Sequence, residues 1–115
     1  MSKRVRKVPP PPRQVDRRIE LQRLLEAILG SRNVYFEPPE GTKMVYPCIR
    51  YKRARYDARH ADNRPYILTS RYELTLIYTD PDNETVYKLA QLPSCRHDRN
   101  YKADNLTHDT FTLFY

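Results

Sequence analysis

The sequence predicts a small single α+β domain, in which two helices cover one face of an antiparallel or mixed sheet of about five strands. The 115 residues correspond to one domain of ordinary size. Apolar residues recur at helical spacing in one segment and at alternate positions in several others. The helical segments are interspersed among strands that mostly follow one another as hairpins, which is typical of the α+β class.

The first helix is predicted over residues 16–29. Asp16 is a suitable N-cap, because its carboxylate can accept hydrogen bonds from the free N–H groups of a first turn. Gly30 can adopt the left-handed conformation that ends a helix. Four apolar residues recur at i, i+3, i+4 and i+7 and form one stripe: Leu21, Leu24, Leu25 and Ile28.

Three strands are predicted next, at residues 34–36, 46–56 and 71–79. The second and third alternate between apolar and polar side chains, so each should place one face on the core. The polar stretch 57–66 between them is expected to be a hairpin loop. The uncovered face of the sheet should carry Arg, Lys, Thr and Tyr. On the third strand the predicted core face is Tyr72, Leu74, Leu76 and Tyr78.

A second helix is predicted to begin at Asp80, with Pro81 in its first position, where a missing N–H costs nothing. It should end before Pro93. Two closing strands are predicted over residues 95–101 and 107–115. The apolar face of this helix is expected to be Val86, Leu89 and Ala90.

The net charge of +7 is concentrated at the start of the chain. Residues 1–14 form a basic arm without acids, and the domain at residues 15–115 holds the other 16 bases and all 14 acids. Four consecutive prolines favour an extended polyproline II segment in this arm. The arm is either a solubilising terminus or a segment that orders against a neighbouring subunit or a polyanion. Its bases are Lys3, Arg4, Arg6, Lys7 and Arg13.

Composition excludes several classes of protein. Two glycines in the whole chain leave no glycine-rich loop to hold a nucleotide phosphate. No apolar run reaches the length of about 18 residues that a membrane span needs, so no membrane partner is predicted. Cys48 and Cys95 belong to no CxxC motif, and without an apolar signal segment we expect a reducing compartment and unbridged thiols.

Few residues could carry chemistry. Zinc would need two ligands beyond Cys95 and His97, and only the distant Cys48 and His108 are candidates. A Cys–His nucleophile pair lacks a neighbour that would lower the thiol pKa. We therefore predict no catalytic residue, metal or cofactor, with Cys95 in the core and His97 on the surface. Two pairs of acids are assigned to turns: Asp80 with Asp82, and Asp104 with Asp109.

Ten tyrosines accompany no tryptophan and three phenylalanines. Tyrosine fits a half-buried strand whose hydroxyl reaches water. It is also enriched, with arginine, at protein–protein interfaces. A third interpretation is base stacking on RNA by basic, Tyr-containing strands, although Asp57 partly balances the bases of residues 51–59.

Two short motifs resemble a known family. Residues 34–39 (VYFEPP) and 46–51 (YPCIRY) follow the first predicted helix. The pattern resembles the tail-terminator, or tail-completion, proteins of long-tailed bacteriophages, in which a V-Y-[F/Y]-x-x-P strand precedes Y-P-x-I-x-Y and a long hairpin. In element order the resemblance extends over residues 16–115, with a second helix and a final strand pair. The basic arm departs from the family pattern.

The resemblance implies a non-enzymatic virion protein at the junction of neck and tail, assembled in the host cytoplasm. Family members form a hexameric ring that caps the tail tube protein and presents a surface to a neck or head-completion protein. A head-to-tail interface that closes on itself gives such a ring. The loop at 57–66 would project toward the tube or the neck. On this interpretation the subunit contacts lie on strand faces at Arg50, Tyr51, Arg53, Arg55, Arg71, Tyr72 and Tyr78.

The arm is expected to contact packaged DNA or an adjacent ring. Phosphate contacts by the arm would be nonspecific and sensitive to salt, as a passage for packaged DNA requires. A head-closure or connector ring of the same neck fits the sequence as well as a terminator does. A small basic nucleic-acid-binding module is the other alternative. The arm residues expected to contact an adjacent ring or DNA are Lys3, Arg4, Arg6 and Lys7.

Overall fold

A computed structural model describes the backbone of residues 14–61 and 64–115 and the side chains of residues 17–54 and 70–115. Its sheet has the strand order β1-β2-β3-β5-β4. Strand β1 runs parallel to β2, and the other neighbours are antiparallel, so the sheet is mixed and the predicted α+β class is confirmed. In chain order the elements are α1 (Gln14–Leu29), β1 (Val34–Phe36), β2 (Cys48–Ala61), β3 (Arg64–Tyr78), α2 (Thr85–Ala90), β4 (Cys95–Ala103) and β5 (Leu106–Phe114).

The core lies between the two helices and one face of the sheet. Leu21 and Leu25 of α1 and Leu89 of α2 have no exposed surface. Burying a side chain of this size contributes about 1.5–3 kcal/mol to stability. The core face that the sequence predicts for the third strand, Tyr72, Leu74, Leu76 and Tyr78, is buried. The other strands supply alternate residues to the same core: Ile49, Tyr51, Phe111 and Leu113.

Helix α1 begins earlier than predicted and ends as predicted. It starts at Gln14, so Asp16 lies in the first turn and is not the N-cap. An acid is favourable throughout a first turn, and for this reason its position does not identify the starting residue. Gly30 has φ +82°, and its N–H donates to the Glu26 carbonyl at 2.8 Å. This is the left-handed ending that the sequence predicts.

The predicted loop at residues 57–66 is wrong. Strand β2 continues to Ala61 and β3 resumes at Arg64, and these two residues are register partners. Only residues 62 and 63, between the strands, lie outside the described backbone. Cross-strand backbone hydrogen bonds need no apolar alternation, so a polar sequence can continue an antiparallel pair where water reaches it. Register shifts interrupt the pairing of β2 with β3 between Arg53 and Arg55 and between Asp57 and Ala58.

The predicted start of the second helix is also wrong. The Asp82 N–H donates to Asp80 Oδ1 at 2.9 Å, and the chain makes a turn before α2 begins at Thr85. The Thr85 N–H donates a hydrogen bond to Asn83 Oδ1 at 2.8 Å. An Asp-Pro pair is typical of turns as well as of helix starts, and here the side chain caps a turn. On α2, Leu89 is buried as predicted, whereas Ala90 is exposed.

The face of the sheet opposite the helices carries the predicted polar residues. Arg50 and Lys52 are exposed, and Thr75 is half-buried. Two apolar residues interrupt this face: Cys48 and Ile77 are register partners on β2 and β3, with 0% and 2% of their surfaces exposed. The burial of Ile77 accounts for an apolar residue at a position of residues 71–79 where the alternation would place a polar one.

Candidate interaction surfaces

A buried carboxylate lies on the helix-covered face of the sheet. Asp109 is 2% exposed, in the middle of β5. Its Oδ2 accepts a hydrogen bond from the Tyr78 hydroxyl at 2.6 Å. Its Oδ1 accepts one from Asn100 Nδ2 at 2.8 Å and lies 2.8 Å from His97 Nε2. Strands β3, β4 and β5 therefore bring four polar groups together, which we call the Asp109 cluster.

The Asp109 cluster has a defined pattern of protons. Burial alone would raise the pKa of the Asp109 carboxyl, but hydrogen bonds from Tyr78, Asn100 and His97 outweigh burial and lower it. An ionised carboxylate only accepts hydrogen bonds, so His97 donates through Nε2. Burial and the adjacent Asp109 raise the pKa of Tyr78 to about 12, and its hydroxyl remains a donor at neutral pH.

A cavity of about 370 Å³ adjoins the Asp109 cluster. The loop before α2 and α2 itself form one wall with Pro81, Val86 and Tyr87. Tyr87 is 69% exposed, which is unusual for an aromatic side chain. The cavity therefore combines an apolar, aromatic wall with a polar floor, at a volume typical of ligand clefts (roughly 300–1,000 Å³).

The thiols are unsuited to nucleophilic catalysis. Both cysteines are free. Burial, with a smaller effect of Asp98, raises the pKa of Cys95 to about 11, and burial raises that of Cys48 to about 11 against the opposing effect of Arg50. Both thiols are therefore protonated at neutral pH, whereas a cysteine nucleophile acts as the thiolate. Within the described residues, no group of three or more His, Cys, Asp or Glu side chains is placed to hold a metal ion.

The open face of the sheet presents an ordered set of basic and aromatic groups. The Arg99 guanidinium lies 5.3 Å from the centre of the Tyr101 ring. That ring stacks on His108 at 4.8 Å between centroids and 11° between planes. Farther along the face, Lys52 Nζ lies 3.3 Å from Glu73 Oε2 in an exposed ion pair, which contributes little to stability.

The far half of the β2–β3 hairpin extends past the rest of the sheet. Strand β1 pairs with β2 only at residues 49–51, and β5 pairs with β3 only from Arg71 onward. Residues 57–61 and 64–69 pair with one another and, in the described part of the chain, with no third strand. At roughly 3.4 Å per residue this ribbon (residues 57–69) projects by about 17 Å.

The structure divides the residues predicted for a subunit interface. Arg50 is exposed on the open face. Arg53 is half-buried, and its Nη2 donates to the Tyr72 hydroxyl at 3.1 Å. Arg71 is half-buried at the base of the ribbon. Arg55 lies in β2, and its side chain is outside the described residues.

The three tyrosines that were predicted at a subunit interface are buried in the subunit itself. Tyr51 is 1% exposed, and its hydroxyl donates to Gln22 Oε1 at 2.6 Å; Tyr72 has no exposed surface. This corrects their assignment to a subunit interface, because both rings are used by the chain's own core. Tyr78 lines the cavity beside the Asp109 cluster. The arm residues Lys3, Arg4, Arg6 and Lys7 lie outside the described residues.

The sequence prediction missed the Asp109 cluster. It assigned Asp109 to a turn, and that assignment is wrong; Asp104 does lie in the turn between β4 and β5, with φ 54°. The available signal was the alternation of β5, in which Asp109 occupies the same face as Phe111 and Leu113. His97 is exposed, as predicted. Its ring also packs edge-on against Phe111, at 5.1 Å between centroids.

Comparisons with known proteins give no relative from which a function could be inferred. No family model, curated protein or solved structure matches this chain. Among the described residues, no helix is both long and apolar enough to cross a membrane.

Proposed function

We propose that this chain is a structural subunit of a phage tail-terminator ring. Copies join head to tail, six to a ring in the family that the sequence resembles. The ring caps the tail tube and offers its other side to a neck protein. The chain performs no reaction in this role, and its place is the junction of neck and tail in the virion.

The observation that carries this proposal is the projecting ribbon. A two-stranded ribbon on its own is marginally stable in water and leaves unpaired N–H and C=O groups along both edges. Residues 57–61 and 64–69 pair with one another and with no third strand in the described part of the chain. A neighbouring subunit that packs on the ribbon would satisfy those edges, and a contact between two different surfaces closes into a ring when the rotation between copies allows it.

The polar open face supports the same proposal. It carries Arg50, Lys52 and the Arg99–Tyr101–His108 group, and α1 and α2 pack on the other face of the sheet. Arginine and tyrosine are enriched at protein interfaces, where each combines apolar contact area with hydrogen-bond donors. This face is therefore available to a tube or neck protein while the ribbon joins neighbours.

Native mass spectrometry of the purified chain tests the assembly. We expect a closed oligomer, or a monomer that assembles only on tubes of the tail-tube protein encoded in the same genome. A shortened variant joins Tyr56 to Ser70, which are register partners, through Asn-Gly in place of residues 57–69. A two-residue Asn-Gly turn is a favoured hairpin connection, so the variant should fold and remain monomeric.

The control is Arg23→Ala, a change at an exposed position of α1. Circular dichroism should show the fold of both variants, and Arg23→Ala should assemble as the natural chain does. A chain that stays monomeric alone and with tubes contradicts the proposal. A shortened variant that assembles normally removes the ribbon from it.

Two alternatives predict different outcomes. A head-closure or connector ring would assemble in the same way but bind capsid portals in place of tail tubes. A nucleic-acid-binding module is favoured by the Arg99–Tyr101–His108 group, because base stacking on aromatic side chains is a common mode of single-strand binding. It predicts a monomer that binds single-stranded RNA or DNA, with affinity falling steeply as salt rises.

A further inference from the structure

The cavity beside the Asp109 cluster has the chemistry of a site for a basic, proline-rich segment. We propose that it binds residues 7–13 (KVPPPPR) of the arm of a second copy. This inference rests on the ring assembly proposed above. It adds that each subunit holds the arm of its neighbour.

The surface of the cavity suits a proline-rich segment. Proline-rich segments in the polyproline II conformation are recognised by grooves lined with aromatic side chains. Here Tyr87 and Tyr78 line the cavity, together with Pro81 and Val86. Tyr87 is 69% exposed, so its ring is available to a segment lying across the cavity.

The hydrogen-bonding groups of the cavity complement those of a proline run. A run of prolines has carbonyl acceptors and no N–H donors. The cavity offers donors: Asn100 uses one amide hydrogen on Asp109 and retains a second. The Tyr87 hydroxyl supplies another. The buried Asp109 carboxylate holds the Asn100 side chain in place and is itself already satisfied by three partners.

The charges beside the cavity are opposite to those of the arm. The loop that contributes Pro81 and Asn83 to the cavity wall carries exposed acids between and beside them: Asp80, Asp82 and Glu84. No lysine or arginine lines the cavity among the described residues. Lys7 and Arg13 flank the four prolines in the arm. A proline segment in the cavity would therefore bring its flanking bases toward a loop of opposite charge.

The position of α1 favours the arm of a second copy. The first turns of α1 lie near the far end of β5, where the Arg17 guanidinium is 4.9 Å from the Tyr115 ring. Tyr115 is six residues from Asp109, or roughly 20 Å along the strand. Only Arg13 separates the prolines from the helix, and one extended residue spans at most about 3.6 Å, which is far short of this distance. The arm of a second copy has no such restriction.

Site-specific photocrosslinking of the full chain tests the inference. The photoreactive residue p-benzoyl-phenylalanine replaces Tyr87 in an equal mixture of ¹⁴N- and ¹⁵N-labelled chains. Cleavage at Asp16 and the other aspartates keeps the arm in one peptide for mass spectrometry. We expect crosslinks from position 87 to residues 7–13, about half of them joining a light and a heavy chain.

Two controls accompany this measurement. The same photoreactive residue at Tyr46, which precedes β2 and is 42% exposed, should give no crosslink to the arm. The triple variant Asp80→Asn, Asp82→Asn, Glu84→Gln should reduce the yield from position 87 several-fold. The chain that carries the photoreactive residue at position 87 and keeps its three acids should lose the same yield as sodium chloride is raised.

The outcomes separate this inference from the ring proposal. Rings without arm crosslinks from position 87 overturn the inference and leave the ring in place. Arm crosslinks within single chains only show that each cavity holds its own arm, which also overturns it. Chains that form no ring, alone or on tubes, contradict the ring itself whatever the crosslinks show.

Discussion

Asp109 shows how one buried side chain depends on partners from three strands. Its carboxylate accepts hydrogen bonds from Tyr78 on β3 and from Asn100 and His97 on β4. Burying a charge is costly unless such partners replace water. The three donors do so here, and the lowered pKa of the Asp109 carboxyl is the consequence.

The substitution Tyr78→Phe tests the shortest of these contacts. At pH 7 it should lower the free energy of unfolding by roughly 1.5–3 kcal/mol, the range for hydrogen bonds to charged groups. Burial and Asp109 raise the pKa of Tyr78 from 10.0 to about 12 in the folded chain. The unfolded chain therefore loses the proton first, so this stability is present below pH 10 and disappears as pH rises toward 12.

Urea unfolding between neutral pH and about pH 12 measures this effect. The matched control is Tyr101→Phe, because the Tyr101 hydroxyl has no hydrogen-bond partner among the described residues. The free energy of unfolding of this control should stay within about 0.5 kcal/mol of that of the natural chain. Equal stabilities of the two variants at pH 7 would show that the Tyr78–Asp109 contact contributes nothing.

At the scale of elements, the end of α1 depends on a single backbone conformation. Gly30 has φ +82°, and a Cβ added there would meet no heavy atom within 4 Å. The cost of a side chain at this position is therefore conformational, without a steric clash. The helix end also sets the direction in which the chain enters β1.

Gly30→Ala should lower the free energy of unfolding by about 1 kcal/mol, the usual cost of a left-handed conformation for an L residue. Gly30→Asn should cost less, because asparagine adopts this conformation more readily. Chemical denaturation followed by circular dichroism compares the two variants. Equal losses from both would mean that the positive φ is not the cause.

The hairpin is the element in which pairing and function are most closely connected. The two family-like motifs lie side by side at its base, since Val34, Tyr35 and Phe36 are register partners of Ile49, Arg50 and Tyr51. These motifs therefore form the parallel edge of the sheet. The ribbon beyond them carries the proposed contact between subunits.

At the scale of the whole molecule, the basic arm carries most of the net charge, and the domain should fold without it. Removing residues 1–13 should leave the free energy of unfolding within about 0.5 kcal/mol, because the segment consists mostly of bases and prolines and supplies little apolar surface to a core. Attachment to a neighbouring subunit or to DNA should weaken, together with its dependence on salt.

Native mass spectrometry and DNA retention over a series of salt concentrations measure this prediction. Thermal unfolding of both proteins provides the control for folding. A truncated chain that attaches as well as the full chain would reduce the arm to a solubilising segment.

The sequence alone determined the fold class, the stripe of α1, the core face of β3 and the end of the first helix at Gly30. Each of these follows from local periodicity or from the conformational range of one residue, and both can be read along the chain. The concentration of charge in the arm is likewise a property of sequence. The assignment to a tail-terminator ring stays a proposal that begins with two short motifs.

Only the tertiary structure decided the length of the β2–β3 ribbon, the late start of α2 and the Asp109 cluster. Backbone pairing carried the hairpin through a polar stretch that lacks any apolar pattern. Tyr78 and Asp109 are 31 positions apart, and the hydrogen bond between them exists only because β3 and β5 are neighbours in the sheet. Periodicity predicts which side of a strand is buried, but which partners it meets there depends on how the strands are ordered.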